Sequence, residues 1–536
     1  AIFHGYKPKR RSSCSLRRVR HYNESCEDQA APTIAHNRAR RAAWHASKNL
    51  PPLDWDHEAA RSPSFTLTKS AASAIGDWGD LSTAWVHGTW AYEWEDTMGP
   101  ITEYTKGERK ITVGMPMPAD NGVTAQAKFY VFNALSALDV AGEYFVDTKA
   151  RKLYFLPPPT AAPDTAGASG SSLELFLSTQ TTLLRATNVS HFEIHNVGFE
   201  VARQDGLDID SCGPRFVMNG LTVKNTGRHG VVIIGGTDVV LQNSEIVWAG
   251  GSGVQVEGGD KAKLIRSEHV VEHNTIHHFE RICLTYNPGV KMGGVGVTTR
   301  NNLLYSTPHH ALEPLGNDQL LEGNVVHHCT QDTFDNGCVH LQQEWHLCLT
   351  PQLSFSFPHR VSGARFPLSP SCVYWAPDDW TDWNYTITRN VIFNGMSKAV
   401  GCNQFTSPLR TGIYPDDGSV GGLISENTFF NPKVNYPVSD DYSAITQWAV
   451  AINGGRTWNL TNNVIVDTAF TYIPFSANNF YDTMHAVNWD APPYSTHYPR
   501  LAALKGTAER GQACLKDKAC PSAPWDNSLT LNIGIN

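Results

Sequence analysis

The sequence predicts a right-handed parallel β-helix, an all-β solenoid, and three observations predict it. From about residue 180 a short strand ending in Asn, followed by a second short apolar strand, recurs along the chain. The tightest intervals, Asn196 to Gly220, Gly220 to Asn243 and Asn301 to Asn324, are 24, 23 and 23 residues. The repeated segments carry no helical spacing. A period in the low twenties is too short for a propeller blade and suits one coil of a β-helix, with longer intervals as insertions at one edge. At 536 residues the chain exceeds what one core usually holds, and a solenoid escapes that limit because each coil packs only on its neighbours.

The elements follow in chain order. Residues 1–50 are basic and irregular (KPKRR, LRRVR, RARR) and read as a solvated arm. Residues 51–165 read as a Trp-rich β module, with Trp78, Trp85, Trp90 and Trp94 crowded together. Its EYFVDTKARKLYFLPPP segment predicts a hairpin closed by prolines. The Pro/Ala/Gly/Ser-rich stretch 158–172 reads as a linker. The β-helix is expected over 166–536, interrupted by a long loop at 346–382, and the final LTLNIGIN reads as the start of another coil. Asn196, Asn243, Asn274, Asn301, Asn324, Asn390, Asn427 and Asn463 are expected to stack along one corner, where Asn tolerates a left-handed bend and can bond its neighbours in the stack.

Composition narrows the function classes. A net charge of −8 argues against nucleic acid as the main partner. No apolar run reaches the about 18 residues of a spanning helix, so no membrane span is expected. Eleven cysteines and four N-x-S/T sites, at Asn23, Asn188, Asn384 and Asn459, together predict a secreted, extracellular glycoprotein. Cys514 and Cys520 bracket a short polar loop and are expected to pair. The odd cysteine count leaves at least one thiol free or paired between chains.

Stacking places residues distant in sequence about 4.8 Å apart, so equivalent positions should line one groove. Four residues beyond each repeat Asn stand His278, Tyr305 and His328, which predicts a shared column on a substrate-binding groove with His310 nearby. Two acidic turns fall in the same region: QDTFDNG, with Asp335, and IYPDDG, with Tyr414, Asp416 and Asp417. Glu344 follows as a reserve carboxylate. Two carboxylates across a groove are what glycoside hydrolysis requires, one holding a proton for the leaving oxygen and the other activating water or attacking the sugar carbon. Asp417 directly precedes Gly418 and suits the bend, which favours Asp416 for the groove. GGSGV and GGVGV precede no helix, so phosphate binding is not expected. The His doublets match no standard zinc signature, and neither a metal nor a cofactor is expected. A lyase would want a Lys or Arg base; Lys291 and Arg300 are the nearest.

The stretch NDQLLEGNVVHHCTQDTFDNGCVHLQQEW resembles a motif of parallel β-helix proteins that include glycoside hydrolase family 141, a family with α-L-fucosidase and xylanase members. The matching residues are Gly316-Asn317, Asn324, His327-His328, Asp335-Asn336-Gly337 and Glu344-Trp345. Tyr414, Asp416 and Asp417 resemble the family's Tyr-x-Asp-Asp turn, and Gly454-Gly455-Arg456 its following coil. The N-terminal module, through Asn133, Leu138-Asp139 and Gly142-Glu143, and the C-terminal PPYSTHYPRLAAL are also similar. The resemblance implies an Asp pair in catalysis, carried onto Asp335 and onto Asp416 or Asp417. Family members often have Tyr and an Arg-Asp pair where this chain has His340 and Gln343-Glu344. The expected function is a secreted glycosidase acting on a fucoside- or xylan-like glycan or wall polysaccharide. A non-catalytic matrix or carbohydrate-binding β-helix is the second reading, and a lyase or epimerase the third.

Overall fold

The structure is a computed structural model. It describes residues 64–67, 72, 79, 81–90, 94, 96–114, 128–157, 175–333, 335–341, 382–393, 410–416, 419–430, 447–453, 455–473, 491–502 and 526–535. These fall into two units, the first ending at Phe176 and the second beginning at Leu177. No helix among the described residues is long and apolar enough to cross a membrane.

The first unit holds a five-stranded antiparallel sheet in the spatial order Ser64–Thr66, Lys110–Val113, Asp96–Thr105, Trp85–Thr89, Lys128–Phe132. Val86, Trp90, Ile111 and Val113 are buried completely at its core, and Trp90 stacks on Phe129. The expected hairpin forms as Tyr144–Asp147 paired antiparallel with Lys152–Phe155. Asn133, in left-handed backbone, accepts from Val146 N at 2.8 Å and donates to Thr83 O at 2.8 Å. That single amide ties the hairpin to the sheet.

The second unit is the parallel β-helix. Three ten-stranded sheets run its length, and each coil contributes one strand to each. The first sheet starts at Leu184–Thr187, the second at Phe192–His195 and the third at Gly198–Glu200. Alternation sends one side chain of each short strand inward, and register stacks like on like. In the first sheet Leu207, Val231, Val254, Val290, Leu312, Val339, Ile413 and Val450 form one interior column, all fully buried. LTLNIGIN supplies Ser528–Thr530 and Ile533–Ile535, the last strands of the second and third sheets.

The asparagines occupy the corner between the second and third sheets, but in two adjacent columns rather than one. Asn274, Asn302, Asn324, Asn390, Asn427, Asn463 and Asn532 form a ladder, buried from Asn274 through Asn463. Each Oδ1 accepts the backbone N–H and the Nδ2 of the ladder residue before it, at 2.8–3.1 Å. Asn196, Asn243 and Asn301 stand one residue earlier, at the left-handed bend itself, with φ of 55°, 51° and 54°. This corrects the single-column expectation. The bend position is left-handed whatever residue fills it, His273, Arg389 and Glu426 included, at φ 55°, 58° and 57°; Gly323 fits there because a Cβ would meet Asn301 Oδ1 at 2.5 Å. The ladder position instead holds an amide from Asn274 onward, with Ser244 in that place one coil earlier.

Two short helices, Tyr494–His497 and Pro499–Ala502, come from the C-terminal PPYSTHYPRLAAL segment and fold back onto the coils. Tyr494 OH donates to Lys261 O at 2.9 Å, and Tyr498 OH to buried Asp318 at 2.9 Å.

Buried histidines make the solenoid acid-sensitive. His229 is held at about 3 because burial disfavours its charged form, more than Asp205 favours it. His269 is held at about 4, again by burial. Both folded values lie below the unfolded 6.5, so the unfolded chain takes up the protons first, and stability present above pH 6.5 is lost as pH falls towards 4 and then 3. At roughly 1.4 kcal/mol per unit, His229 alone should cost about 2 kcal/mol or more at pH 4.5. Unfolding midpoints at pH 7 and pH 4.5 check this, and His229→Asn should shrink the drop.

Candidate functional site

The outward-facing residues of the first sheet are polar along several consecutive coils, and most of them are buried. Lys291 on Val290–Gly294 pairs in register with Glu313 on Leu312–Pro314. On the next coil Leu312 pairs with Val339, so Glu313 and His340 each follow a paired residue. His340 in turn pairs with Tyr414 on Arg410–Pro415. The turns entering these strands bring in Tyr286, His309, His310 and Asp335.

Asp335 stands in left-handed backbone at φ 57° and accepts a hydrogen bond from Tyr414 OH at 3.0 Å. Burial pushes its carboxyl up, although the Tyr414 bond pulls the other way. The disulfide between Cys329 and Cys338, with Cα atoms 5.4 Å apart, closes the loop that carries Asp335. Asp416 ends the Arg410–Pro415 strand. Its Oδ1 accepts from Asn453 Nδ2 at 2.7 Å, and its Oδ2 lies 3.9 Å from His340 Nε2. The two carboxyls therefore flank the His340–Tyr414 ring pair, whose centroids are 5.3 Å apart.

Glu313 is a third carboxylate, fully buried. Burial alone would raise it, but Lys291, with Nζ 3.0 Å from Oε2, and His310 outweigh burial and hold it at about 2. Beside it the rings of His310 and His340 stack at 5.1 Å, and those of His309 and His310 approach to 4.3 Å. Burial lowers both His309 and His310, so both imidazoles are neutral at pH 7. His309 Nδ1 lies 2.6 Å from the Asn336 side-chain amide and 2.7 Å from Thr333 Oγ1. His309 Nε2, both nitrogens of His310 and Glu313 Oε1 are buried with no aligned hydrogen bond, while Glu313 Oε2 is ion-paired with Lys291.

The structure brings Asp335, Asp416, Tyr414 and His310 together on the first sheet. His278, Tyr305 and His328 belong elsewhere, on the third sheet, and do not form one column. Tyr305 pairs in register with His277 and His327 and stacks between them at 4.6 and 4.9 Å. His278 and His328 stand one residue on, each with Nδ1 2.7 Å from Nδ1 of the preceding histidine. The correction follows from Asn301: the ladder residue is Asn302, so Tyr305 lies three residues beyond it, not four. Asp417, Glu344, Cys514, Cys520 and Asn23 lie outside the described residues. Asn188, Asn384 and Asn459 are exposed, and Asn384 Nδ2 donates to Asp318 at 2.8 Å. Of the candidate bases, Lys291 is committed to Glu313, and Arg300 lies on the second sheet, 2.6 Å from Glu272. Sequence reasoning missed Glu313 and His340 as site residues. The signal available was the polar pair Glu313 and His340 within otherwise apolar strands. Among the described residues no group of three or more His, Cys, Asp or Glu side chains could hold a metal ion.

Fold and site define the chain as a right-handed parallel β-helix protein with a buried acidic and imidazole cluster on its first sheet. The profile of the right handed beta helix region matches residues 205–343, which contain Glu313, Asp335 and His340. No curated protein matches the chain. Among solved structures it is similar to a glycoside hydrolase, at 12% identity over 76% of this chain and 73% of that one, with a TM-score of 0.41. It is also similar to the catalytic unit of a thermostable GH87 α-1,3-glucanase from Streptomyces thermodiastaticus strain HF3-3, at 10% identity over 79% and 92%, with a TM-score of 0.24.

Removing the Cys329–Cys338 bridge should loosen the turn that presents Asp335. A loop this short is worth about 2–3 kcal/mol by the chain-entropy account. The Cys329→Ser/Cys338→Ser variant should therefore unfold at lower denaturant. Denaturant midpoints of the two proteins check this.

Proposed function

We propose that this protein is a secreted glycosidase that hydrolyses O-glycosidic bonds of a glycan or wall polysaccharide, with Asp335 as proton-holding acid and Asp416 as second carboxylate. One observation carries the reading: a carboxyl raised by burial, Asp335, and a second carboxylate, Asp416, flank one Tyr–His pair on neighbouring coils. A glycosidase needs environments that push its two carboxyls apart in proton affinity. Asp335 would protonate the departing glycosidic oxygen, while Asp416, held by Asn453, activates water or attacks the sugar carbon. Tyr414 orients Asp335 through its hydroxyl. Secretion is part of the same proposal and is supported by the Cys329–Cys338 bridge and by exposed Asn188 and Asn459 in N-x-S/T sequences.

The test is hydrolysis of a panel of fucosylated, xylan-type and glucan-type glycans by the wild type, Asp335→Asn, Asp416→Asn and Asp417→Asn. Turnover by the wild type that is lost in Asp335→Asn and Asp416→Asn is the expected result. Near-normal turnover in all variants discards the site. No turnover by the wild type on any glycan favours the non-catalytic, carbohydrate-binding reading.

A further inference from the structure

We infer that the histidine doublets His277-His278 and His327-His328 are two copper(II)-binding sites, each a chelate through both Nδ1 atoms. The doublets lie on the third sheet and the carboxyl cluster on the first, so the inference stands apart from the hydrolase reading.

Adjacent residues of a strand point to opposite faces. His277 and His327 end the strands Thr275–His277 and Val325–His327 on the outer face, which would send the next side chain inward. The left-handed bend falls instead on that next residue, His278 and His328, at φ 54° and 52°. Each outer ring is thereby brought beside its neighbour, and the two Nδ1 atoms stand 2.7 Å apart in both doublets. Two converging ring nitrogens are thus presented twice, two coils and roughly 10 Å apart.

The inner rings are held in place. His277, Tyr305, His327 and Phe393 stack ring on ring at 4.6, 4.9 and 4.8 Å. His278 and His328 are exposed, so an ion reaches each doublet from solvent. His277 Nε2 donates to Glu245 Oε1 at 3.4 Å. A carboxylate only accepts, so the His277 proton sits on Nε2 and its Nδ1 keeps a lone pair directed at His278. A carboxylate behind a histidine is the arrangement that orients a metal ligand. Burial lowers His277 and His327, so both rings are neutral at pH 7 and able to donate a lone pair.

The spacing selects the metal. Metal–imidazole bonds are about 2.0 Å long, so two nitrogens on adjacent corners of a square plane stand about 2.8 Å apart, and on a tetrahedron about 3.3 Å. The 2.7 Å spacing fits the square plane, the geometry of copper(II), which also leads zinc(II) in affinity for nitrogen ligands. Among the described residues no group of three or more His, Cys, Asp or Glu forms a metal site, so water completes the coordination. On binding, the proton that links the doublet moves from one Nδ1 to Nε2 of the same ring. The ion takes both Nδ1 lone pairs, and two of its waters leave.

The experiment titrates the full chain with copper(II) sulfate at neutral pH, reading ligation by electron paramagnetic resonance and affinity by calorimetry, with zinc(II) sulfate as comparison. Relative to the wild type, His278→Asn should lose one copper equivalent, His328→Asn the other, and the double variant both. Each lost equivalent should carry two nitrogen ligands. Counting by difference excludes histidines elsewhere in the chain. Asn tolerates the left-handed bend, and metal-free thermal midpoints check that the variants fold. Bound copper should raise the wild-type midpoint by mass action on the folded state and leave that of the double variant unchanged. Glu245→Gln replaces no ligand; it should weaken the His277-His278 site about 10- to 100-fold and spare the other.

A double variant that binds as many copper ions as the wild type, lost equivalents with fewer than two nitrogen ligands, or zinc(II) bound as tightly as copper(II) would each overturn the inference. If the Asn variants do not fold, Glu245→Gln decides alone, and unchanged copper affinity there overturns it.

Discussion

Asp335→Asn is expected to lower kcat by about 100- to 10,000-fold, the range that general acid catalysis supplies, with little change in fold. Asn keeps the shape and can still meet Tyr414 OH, but it has no proton to give. The pH profile should carry the same signature. Burial lifts the Asp335 carboxyl above its ordinary value, so the acid form persists to higher pH in the folded protein than in water. Activity should hold while Asp335 is protonated and fall on the alkaline side as pH rises through the raised value. Tyr414→Phe removes the hydrogen bond that pulls Asp335 downward, so it should move the alkaline limb to higher pH. An alkaline limb that does not move in Tyr414→Phe would remove Asp335 from the acid role even if Asp335→Asn were inactive.

The second large effect is structural. Asn324→Leu should destabilise the solenoid by about 3 kcal/mol or more. In the native ladder, Asn324 Oδ1 accepts from Asn302 N and Nδ2, and its Nδ2 donates to Thr299 O and Asn390 Oδ1. Leucine fills the volume but leaves several buried groups unsatisfied, each costing about 1–3 kcal/mol. Asn301→Gly, one column away at the left-handed bend, should stay within about 0.5 kcal/mol, because glycine adopts that backbone freely. Thermal and denaturant midpoints of the two variants check the pair. Equal effects would mean that the two columns are interchangeable.

That contrast also shows where the sequence was legible. The recurring strand–Asn–strand pattern reports the solenoid, its corner and its coil length, because the ladder selects Asn from Asn274 onward and the left-handed bend beside it also admits Asn. Asn at either of two adjacent positions hides the phase. Arg300-Asn301-Asn302-Leu303 offers two asparagines for one slot, and Asn243-Ser244 places Asn at the bend where Ser takes the ladder position. Counting from the wrong one moved Tyr305 by a residue and joined it to His278 and His328 instead of His277 and His327. Of the acidic residues, Asp335, Asp416 and Asp417 could be singled out because turns advertise themselves. Glu313 could not, since Ala-Leu-Glu-Pro-Leu reads as an unremarkable strand until Lys291 and His340 are stacked above and below it.

The ladder has a consequence for how this protein could change over evolutionary time. Asn324 and Asn390 are bonded side chain to side chain although 66 residues separate them, whereas Asn302 and Asn324 are bonded across 22. The amide contact is the same in both. A departing chain is thus re-indexed when it returns, by the amide waiting at the corner and not by the number of residues it spent away. Coil phase is proofread locally, so a chain of this kind can accept long insertions between its sheets without misaligning the coils that follow.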